Sequence, residues 1–315
     1  MNKYERMLHI MGLITKDALS TDNIRQKLFN LDTDLAKKYG LKTLSMDRQI
    51  NRDMAQFKKY GFTVKKTSYE YQIETDSQFL DAFTSLLKSY FEKDLILKKH
   101  IYGDIDRSSL AEIIEIQTNV YKKSIFDAAK YFIDIAIALK EKKNLGFYYA
   151  PQHPDTAKKF LMKRKSVADK GFDVAMLCHY LVFRKGSLLL LGEVNHKDKM
   201  QIRQYLLKGI SKLKISGTQQ PRQLKIIPDE LYKYSVGCWI GGNEHTIKLK
   251  ISELADPSQH RFIERTVNGE EEIIKLILDS NGAMRIINPP PEIKDKARQM
   301  KVQFESMFAD EKKTI

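Results

Sequence analysis

The spacing of apolar residues changes period near residue 142, and that change restricts the chain to folds in which a mainly helical half precedes a mainly β half. Between Tyr4 and Leu139 apolar side chains recur every three or four residues, which buries one face of a helix. Beyond Leu145 they alternate or run in short blocks between turn residues, as strands do. One stretch interrupts the helical half: Phe62 and Val64 form one arm and Tyr69, Tyr71 and Ile73 the other, with Lys66-Thr67-Ser68 between them, the pattern of a hairpin. A chain of 315 residues exceeds what one core usually organises, so the expected class is α+β and multidomain.

The pattern divides into four segments. Residues 1–75 carry three helices and the hairpin. Tyr4, Met7, Leu8, Met11 and Ile14 stripe the first helix, and Ser20-Thr21-Asp22-Asn23 offer caps for a second with Ile24, Leu28 and Leu31. Ser45 caps a third, whose stripe is Met46, Ile50, Met54 and Phe57 before Gly61 stops it. Residues 76–142 form a helical connector striped by Phe79, Phe83, Leu86 and Tyr90, then Leu110, Ile113, Ile114 and Gln117, then Ile125, Ala128, Phe132, Ile135 and Leu139. Residues 143–227 read as short strands at 145–150, 174–183, 188–194 and 202–215 with a turn at Arg184-Lys185-Gly186-Ser187, which suggests a small barrel. Residues 228–315 read as an α+β extension, with strands near 246–251, 273–278 and 283–287 and a final helix carrying Ile293, Ala297, Met300 and Phe304.

Net charge is placed unevenly. Residues 1–75 hold 14 basic against 9 acidic residues and 140–227 hold 19 against 6, giving +5 and +13. Residues 76–139 (8 against 10) and 228–315 (13 against 15) are each −2, so the whole chain is +14. Affinity for polyanions grows with the number of phosphates neutralised, so two cationic units imply nucleic-acid or nucleotide partners. Taken alone, a charge run is equally a solvated face, and the residue pattern has to decide.

In the third helix Ile50, Met54 and Phe57 share one face, which leaves Arg48 and Arg52 together on the opposite one, flanked by Gln49 and Gln56. Two guanidinium groups one turn apart near a helix N-terminus suit the O6 and N7 acceptors of guanine in the major groove. Lys65 and Lys66 in the hairpin can neutralise neighbouring phosphates, which positions a protein on DNA without reading sequence. The other reading is an ordinary amphipathic helix with its arginines paired to nearby acids.

The stretch from Thr43 to Met54, followed by Phe57 and Tyr60-Gly61-Phe62, resembles the winged helix-turn-helix segment of WYL-domain transcription regulators. By that resemblance Ser45 caps the helix or contacts backbone phosphate, Arg48 and Arg52 face DNA, and Asp53 helps hold the helix. Leu145 to Tyr149, Cys178-His179-Tyr180-Leu181-Val182 and Ile202 to Ile210 resemble the WYL domain itself, a small barrel similar to the Sm fold. His179 stands where the naming tryptophan is expected and Lys208 where an arginine is usual, which weakens bidentate anion recognition there. The resemblance implies a groove sensing a nucleic-acid or nucleotide effector. Tyr149, His179, Tyr180 and Tyr205 would offer rings to it, and Arg203 and Lys208 would hold phosphates. The tyrosines read equally as half-buried barrel residues. The tail resembles the C-terminal extension that supports dimerisation in that family, whose members often lie near phage-defence genes.

Several classes are disfavoured. No apolar run approaches the roughly 18 residues of a membrane span, and Met1-Asn2-Lys3-Tyr4-Glu5-Arg6 lacks the layout of a secretory signal. Cys178 and Cys238 are far apart with no Cys-x-x-Cys, which argues against a disulfide framework or a cysteine zinc site and fits a cytoplasmic protein. No phosphate-binding P-loop or His-Glu-x-x-His helix occurs, and adjacent Cys178 and His179 on a strand would point to opposite faces. The expectation is a non-enzymatic regulator without metal or cofactor: a homodimeric repressor binding an inverted-repeat double-stranded DNA operator, with no membrane association. The alternatives are an accessory subunit or enzyme of a nucleic-acid-processing system and a structural nucleic-acid binder without operator preference.

Overall fold

The computed structural model describes residues 1–32, 43–118, 123–150, 171–217, 221–235, 240, 244–252, 260–269, 273–274, 276–277, 280, 284–295 and 297–298. The chain is α+β with several antiparallel sheets and divides into two compact units. The first comprises Met1–Ala150 and Gly171–Lys225; the described part of the second starts at Ile226.

Helix α1 (Lys3–Lys16) opens with a reciprocal cap in which Asn2 Oδ1 accepts the Glu5 N–H at 2.9 Å and the Glu5 carboxylate accepts the Asn2 N–H at 2.8 Å. Strand β1 (Leu19–Ser20) leads into α2 (Thr21–Leu31), where Ser20 caps the helix by accepting the Asn23 N–H at 3.2 Å, as expected from its sequence. Helix α3 (Thr43–Tyr60) starts two residues before the expected cap, so Ser45 is its third residue. Thr43, two positions ahead of Ser45, is also a residue type found at helix starts, so local sequence could not separate the two starts. At its other end Gly61 adopts φ +96°, its N–H bonded to the Lys58 carbonyl at 3.1 Å and that of Phe62 to the Phe57 carbonyl at 3.0 Å, a Schellman stop.

Strands β2 (Val64–Thr67) and β3 (Glu70–Ile73) form the expected hairpin, but its turn is Ser68-Tyr69, one residue later than the sequence suggested, with Ser68 at φ 41°. β1 pairs with β3 as well, giving a three-stranded sheet in the order β1-β3-β2. Helices α4 (Phe79–Lys93), α6 (Arg107–Thr118) and α7 (Lys123–Glu141) occupy the connector, with α7 packed along α1. Between α4 and α6 lie a short α5 (Leu95–Lys98) and strand β4 (Ile101–Tyr102), neither evident from periodicity because each is too short to show one. A run of ring contacts 5.4 to 6.3 Å apart, Phe57 to Phe62 to Phe79 to Phe83 to Phe132 to Phe91, joins α3 to α4 and α7. Burying each such ring contributes about 1.5–3 kcal/mol, so α3 is held by its packing more than by helix propensity.

The larger sheet of the first unit contains β5 (Asn144–Tyr149), β6 (Phe172–Arg184), β7 (Ser187–His196), β8 (Lys199–Leu206) and β9 (Ile210–Ser216) in the order β8-β7-β6-β5-β9. A 3-10 turn at Leu207–Gly209 separates β8 from β9, and β9 returns to pair with β5. β6 is long enough to pair with β5 along its first half and with β4, in parallel, at Leu181 and Val182. Against β7, Cys178 pairs with Gly192 and Tyr180 with Leu191, so His179 is the extra residue of a β-bulge. Side-chain alternation therefore breaks at Cys178-His179. One buried core runs from Met7 on α1 through Phe132 on α7 to Leu213 on β9.

In the second unit, α8 (Pro228–Leu231) is followed by β10 (Glu244–Ser252), β11 (His260–Asn268) and β12 (Met284–Ile287) in the order β11-β10-β12. Two expectations need correction. Residues 273–274 and 276–277 are helical where a strand was read, because a short apolar run fits a buried helix as well as a strand. β11 was missed because His260, Arg261, Glu264 and Arg265 mask its alternation. The final helix includes residues 291–295, with Ile293 buried; Met300, Phe304, Cys238 and most of the Gly237 to Asn243 boundary lie outside the described residues.

Candidate nucleic-acid interface

The packing of α3 settles where its charges go. Met46, Ile50, Met54 and Phe57 are buried, and Arg48 and Arg52 are exposed on the opposite side. The two acids of the helix are committed to its neighbours. Asp53, fully buried, receives the Arg6 guanidinium of α1 as a fork, Nε to Oδ2 at 2.7 Å and Nη2 to Oδ1 at 3.1 Å. Asp47 is ion-paired with Arg25 of α2, which also reaches Asp22. Among the described residues, neither Arg48 nor Arg52 has an acidic partner.

Ser45 is exposed in the first turn, where backbone N–H groups lack helical acceptors and face outward. Gln49 is half-buried and donates from Nε2 to Asp53 Oδ1 at 3.3 Å, so it braces the fork. The hairpin is bolted to the helix by the Tyr71 hydroxyl, which donates to Asn51 Oδ1 at 2.9 Å. Lys66 Nζ lies 5.3 Å over the Tyr71 ring and Lys65 is ion-paired with Glu74. Lys65 is 59% exposed, and a pair that open contributes only about 0–1 kcal/mol, so exchanging it for a phosphate costs little. Tyr69, 84% exposed, sits at the tip.

The residues expected to face an effector fall into separate groups. Tyr149 and Tyr205 are buried against each other, ring centroids 4.9 Å apart, within a cluster that includes Phe147 and Phe172. Arg203 is exposed on β8, its Nη2 donating to Gln201 Oε1 at 2.6 Å, and Lys208 is half-buried in the 3-10 turn. Burial raises the Tyr205 hydroxyl above its ordinary value, and the Arg203 charge offsets part of that rise. Tyr180 is half-buried with its ring 6.1 Å from that of His100.

His179 belongs to a polar cluster that sequence reading missed. Its Nε2 lies 2.6 Å from Glu193 Oε1, and both side chains are buried. The Glu193 carboxylate accepts the N–H groups of Gln223 at 3.0 and 3.1 Å and of Leu224 at 3.0 Å. His100 Nδ1 lies 2.8 Å from the His179 carbonyl oxygen, and Arg222 Nη2 lies 3.3 and 3.5 Å from the two ring nitrogens of His100. Burial first, and the Arg222 charge second, lower His179 to about 4, so its imidazole is neutral at physiological pH. The same two causes lower His100. Burial pushes the Cys178 thiol up to about 12, so it is no nucleophile. One signal was available: Glu193 is the single acid within Leu188-Leu189-Leu190-Leu191-Gly192-Glu193-Val194, and a carboxylate in an apolar strand needs partners. No group of three or more His, Cys, Asp or Glu side chains among the described residues is placed to hold a metal ion, and no helix among them is long and apolar enough to cross a membrane.

No protein-family profile matches the chain, and no curated protein sequence does. Two solved structures are similar over most of its length. Proteasome accessory factor B/C (PafBC) of Arthrobacter aurescens matches 93% of this chain with 14% identity and a TM-score of 0.26, and the chain spans 45% of that protein. A CRISPR Cas-related protein matches 98% of this chain and 84% of its own length, with 12% identity and a TM-score of 0.41.

Proposed function

We propose that this chain is a sequence-specific DNA-binding transcription regulator of the WYL type, a homodimeric repressor whose basic β domain senses a nucleic-acid or nucleotide effector and which catalyses no reaction. The observation that carries the reading is the commitment of Asp47 and Asp53 to Arg25 and Arg6, which leaves Arg48 and Arg52 exposed one turn apart with no acid among the described residues to neutralise them. A guanidinium without an internal partner is available to a base edge or a phosphate. The order helix, strand, helix, helix, hairpin, with β1 added to the hairpin, supports a winged helix with α3 as the recognition helix. The order β8-β7-β6-β5-β9 with its 3-10 turn supports an Sm-like barrel as the sensor.

In this reading Ser45 and the wing lysines Lys65 and Lys66 hold phosphates, Arg48 and Arg52 read bases, and the C-terminal α+β extension joins two copies over an inverted repeat. The test is an electrophoretic mobility shift with the DNA upstream of the protein's own gene. Arg52→Ala is expected to weaken specific binding by about 1–3 kcal/mol while leaving the circular dichroism spectrum unchanged. Unchanged affinity in Arg48→Ala, Arg52→Ala and the double variant would overturn the reading.

A further inference from the structure

Two features of the polar cluster at the β6 bulge are unexplained by folding alone. The first is the setting of Glu193. Its carboxylate is 1% exposed and is held by two consecutive backbone N–H groups, those of Gln223 and Leu224, which converge on it as a main-chain nest converges on an anion. The second is Arg222, the residue that precedes this nest. Its guanidinium lies against the His100 ring, its Nε is buried with no hydrogen-bond partner, and among the described residues no carboxylate lies within ion-pair distance of it. A half-buried cation without a counter-charge is costly, and a nest beside it that already grips a carboxylate supplies the missing half of an anion site.

We propose that Arg222 and the N–H groups of Gln223 and Leu224 form a phosphate-monoester site that the protein's own Glu193 carboxylate now occupies, so that an effector binds by displacing Glu193. The proposal rests on the reading of β5 to β9 as an effector-sensing domain and names the chemistry it senses. A phosphate monoester carries more charge than a carboxylate and offers three acceptor oxygens, so it can take both N–H groups and the guanidinium together. Displacement of Glu193 frees the N–H groups of Gln223 and Leu224 from β7, and Lys225 is followed directly in the chain by Ile226, the first described residue of the second unit. It also leaves Glu193 beside His179, whose neutral imidazole can take up a proton to compensate it.

The test compares full-length wild type with Glu193→Gln, which keeps the shape of the side chain and removes its charge. Thermal unfolding is followed while inorganic phosphate, adenosine monophosphate or adenosine is titrated at constant ionic strength. Glu193→Gln is expected to be stabilised by phosphate and adenosine monophosphate at concentrations about tenfold lower than wild type, with no effect of adenosine. Adding Arg222→Gln should abolish the response. Stabilisation by adenosine monophosphate but not inorganic phosphate identifies a nucleotide or a nucleic-acid 5′ end as the source; stabilisation by both identifies the phosphate group itself. Equal responses of wild type and Glu193→Gln, or a response that survives Arg222→Gln, overturn the proposal. Should Glu193→Gln not fold, hydrogen exchange of wild type decides: millimolar adenosine monophosphate must raise exchange at the Glu193 peptide, and no change there overturns the proposal. Loss of an oligonucleotide response in an Arg203→Glu/Lys208→Glu variant, with none to adenosine monophosphate at Arg222, would refute this site and leave the sensor reading intact.

Discussion

Arg6 of α1 and Asp53 of α3 form a buried two-pronged ion pair, with contacts of 2.7 and 3.1 Å, 47 positions apart in the chain. The pair fixes the rotation of α3 about its own axis. Because Asp53 must face Arg6, Arg52 next to it and Arg48 one turn earlier face away from the core.

A buried pair deprived of one partner leaves a charge without compensation. Asp53→Ala or Arg6→Ala is therefore expected to cost about 3–5 kcal/mol by urea denaturation and, if the proposed reading holds, to weaken DNA binding although both residues are buried. The apolar double variant Arg6→Met/Asp53→Leu should recover most of that stability. A double variant as unstable as either single one would show that the pair contributes more than mutual neutralisation.

Gly192 lies opposite the His179 bulge, and a Cβ there would meet the Leu177 carbonyl oxygen at 2.2 Å. Backbone cannot yield as a flexible side chain does, so Gly192→Ala should lower stability by about 2–4 kcal/mol. Its urea midpoint reports this directly. A change within experimental error would mean that the bulge can be removed without loss.

Two half-buried titratable groups act on stability with opposite signs. His9 is lowered to about 4 by burial, so its contribution is intact above about 6.5 and is lost as pH falls from there toward 4, where the unfolded chain takes up a proton that the folded state resists. Asp134 is raised to about 6 by burial, so it penalises the folded state at neutral pH and the penalty fades as pH falls from about 6 toward 4. Asp134→Asn should raise stability at pH 7 by on the order of 1 kcal/mol, allowing for screening of a partly exposed group, and have no effect near pH 4. His9→Gln should flatten the acid limb by about 2 kcal/mol. Denaturant titrations across this range check both, and a pH-independent difference for either variant contradicts its assigned cause.

Arg203 and Lys208 are the basic residues of the expected effector groove. Arg203→Glu/Lys208→Glu is expected to leave operator affinity unchanged in a mobility shift while weakening binding of a fluorescent single-stranded oligonucleotide by about 1–3 kcal/mol, with a reduced salt slope. Loss of both activities together would contradict a sensor separate from the DNA-binding surface.

Much of this arrangement was legible in the residues. Ile50, Met54 and Phe57 placed Arg48 and Arg52 on one outward face, because a helix with one apolar stripe has only one way to bury it. Ser20 announced α2, Gly61 ended α3, and Lys185-Gly186 marked the β6 to β7 turn, since capping and positive φ are local requirements met by few residue types. The surroundings of the residues expected to face an effector were less legible. Tyr149, Tyr180 and Tyr205 share a residue type and a β context, yet two are packed together in the interior and the third lies by His100, a difference set by their tertiary neighbours.

From its sequence alone, then, the chain declared the types and succession of the long elements of its first unit and the face of α3 that carries charge, because propensity, capping and periodicity act over a few residues. Only tertiary structure decided which charges are spent. Arg6 finds Asp53, Arg25 finds Asp47, and Glu193 finds His179 and the Gln223–Leu224 backbone through contacts between residues 22 to 47 positions apart for the helical pairs. Local rules cannot see such pairings, because they exist only once packing has brought distant segments together and removed the water between them.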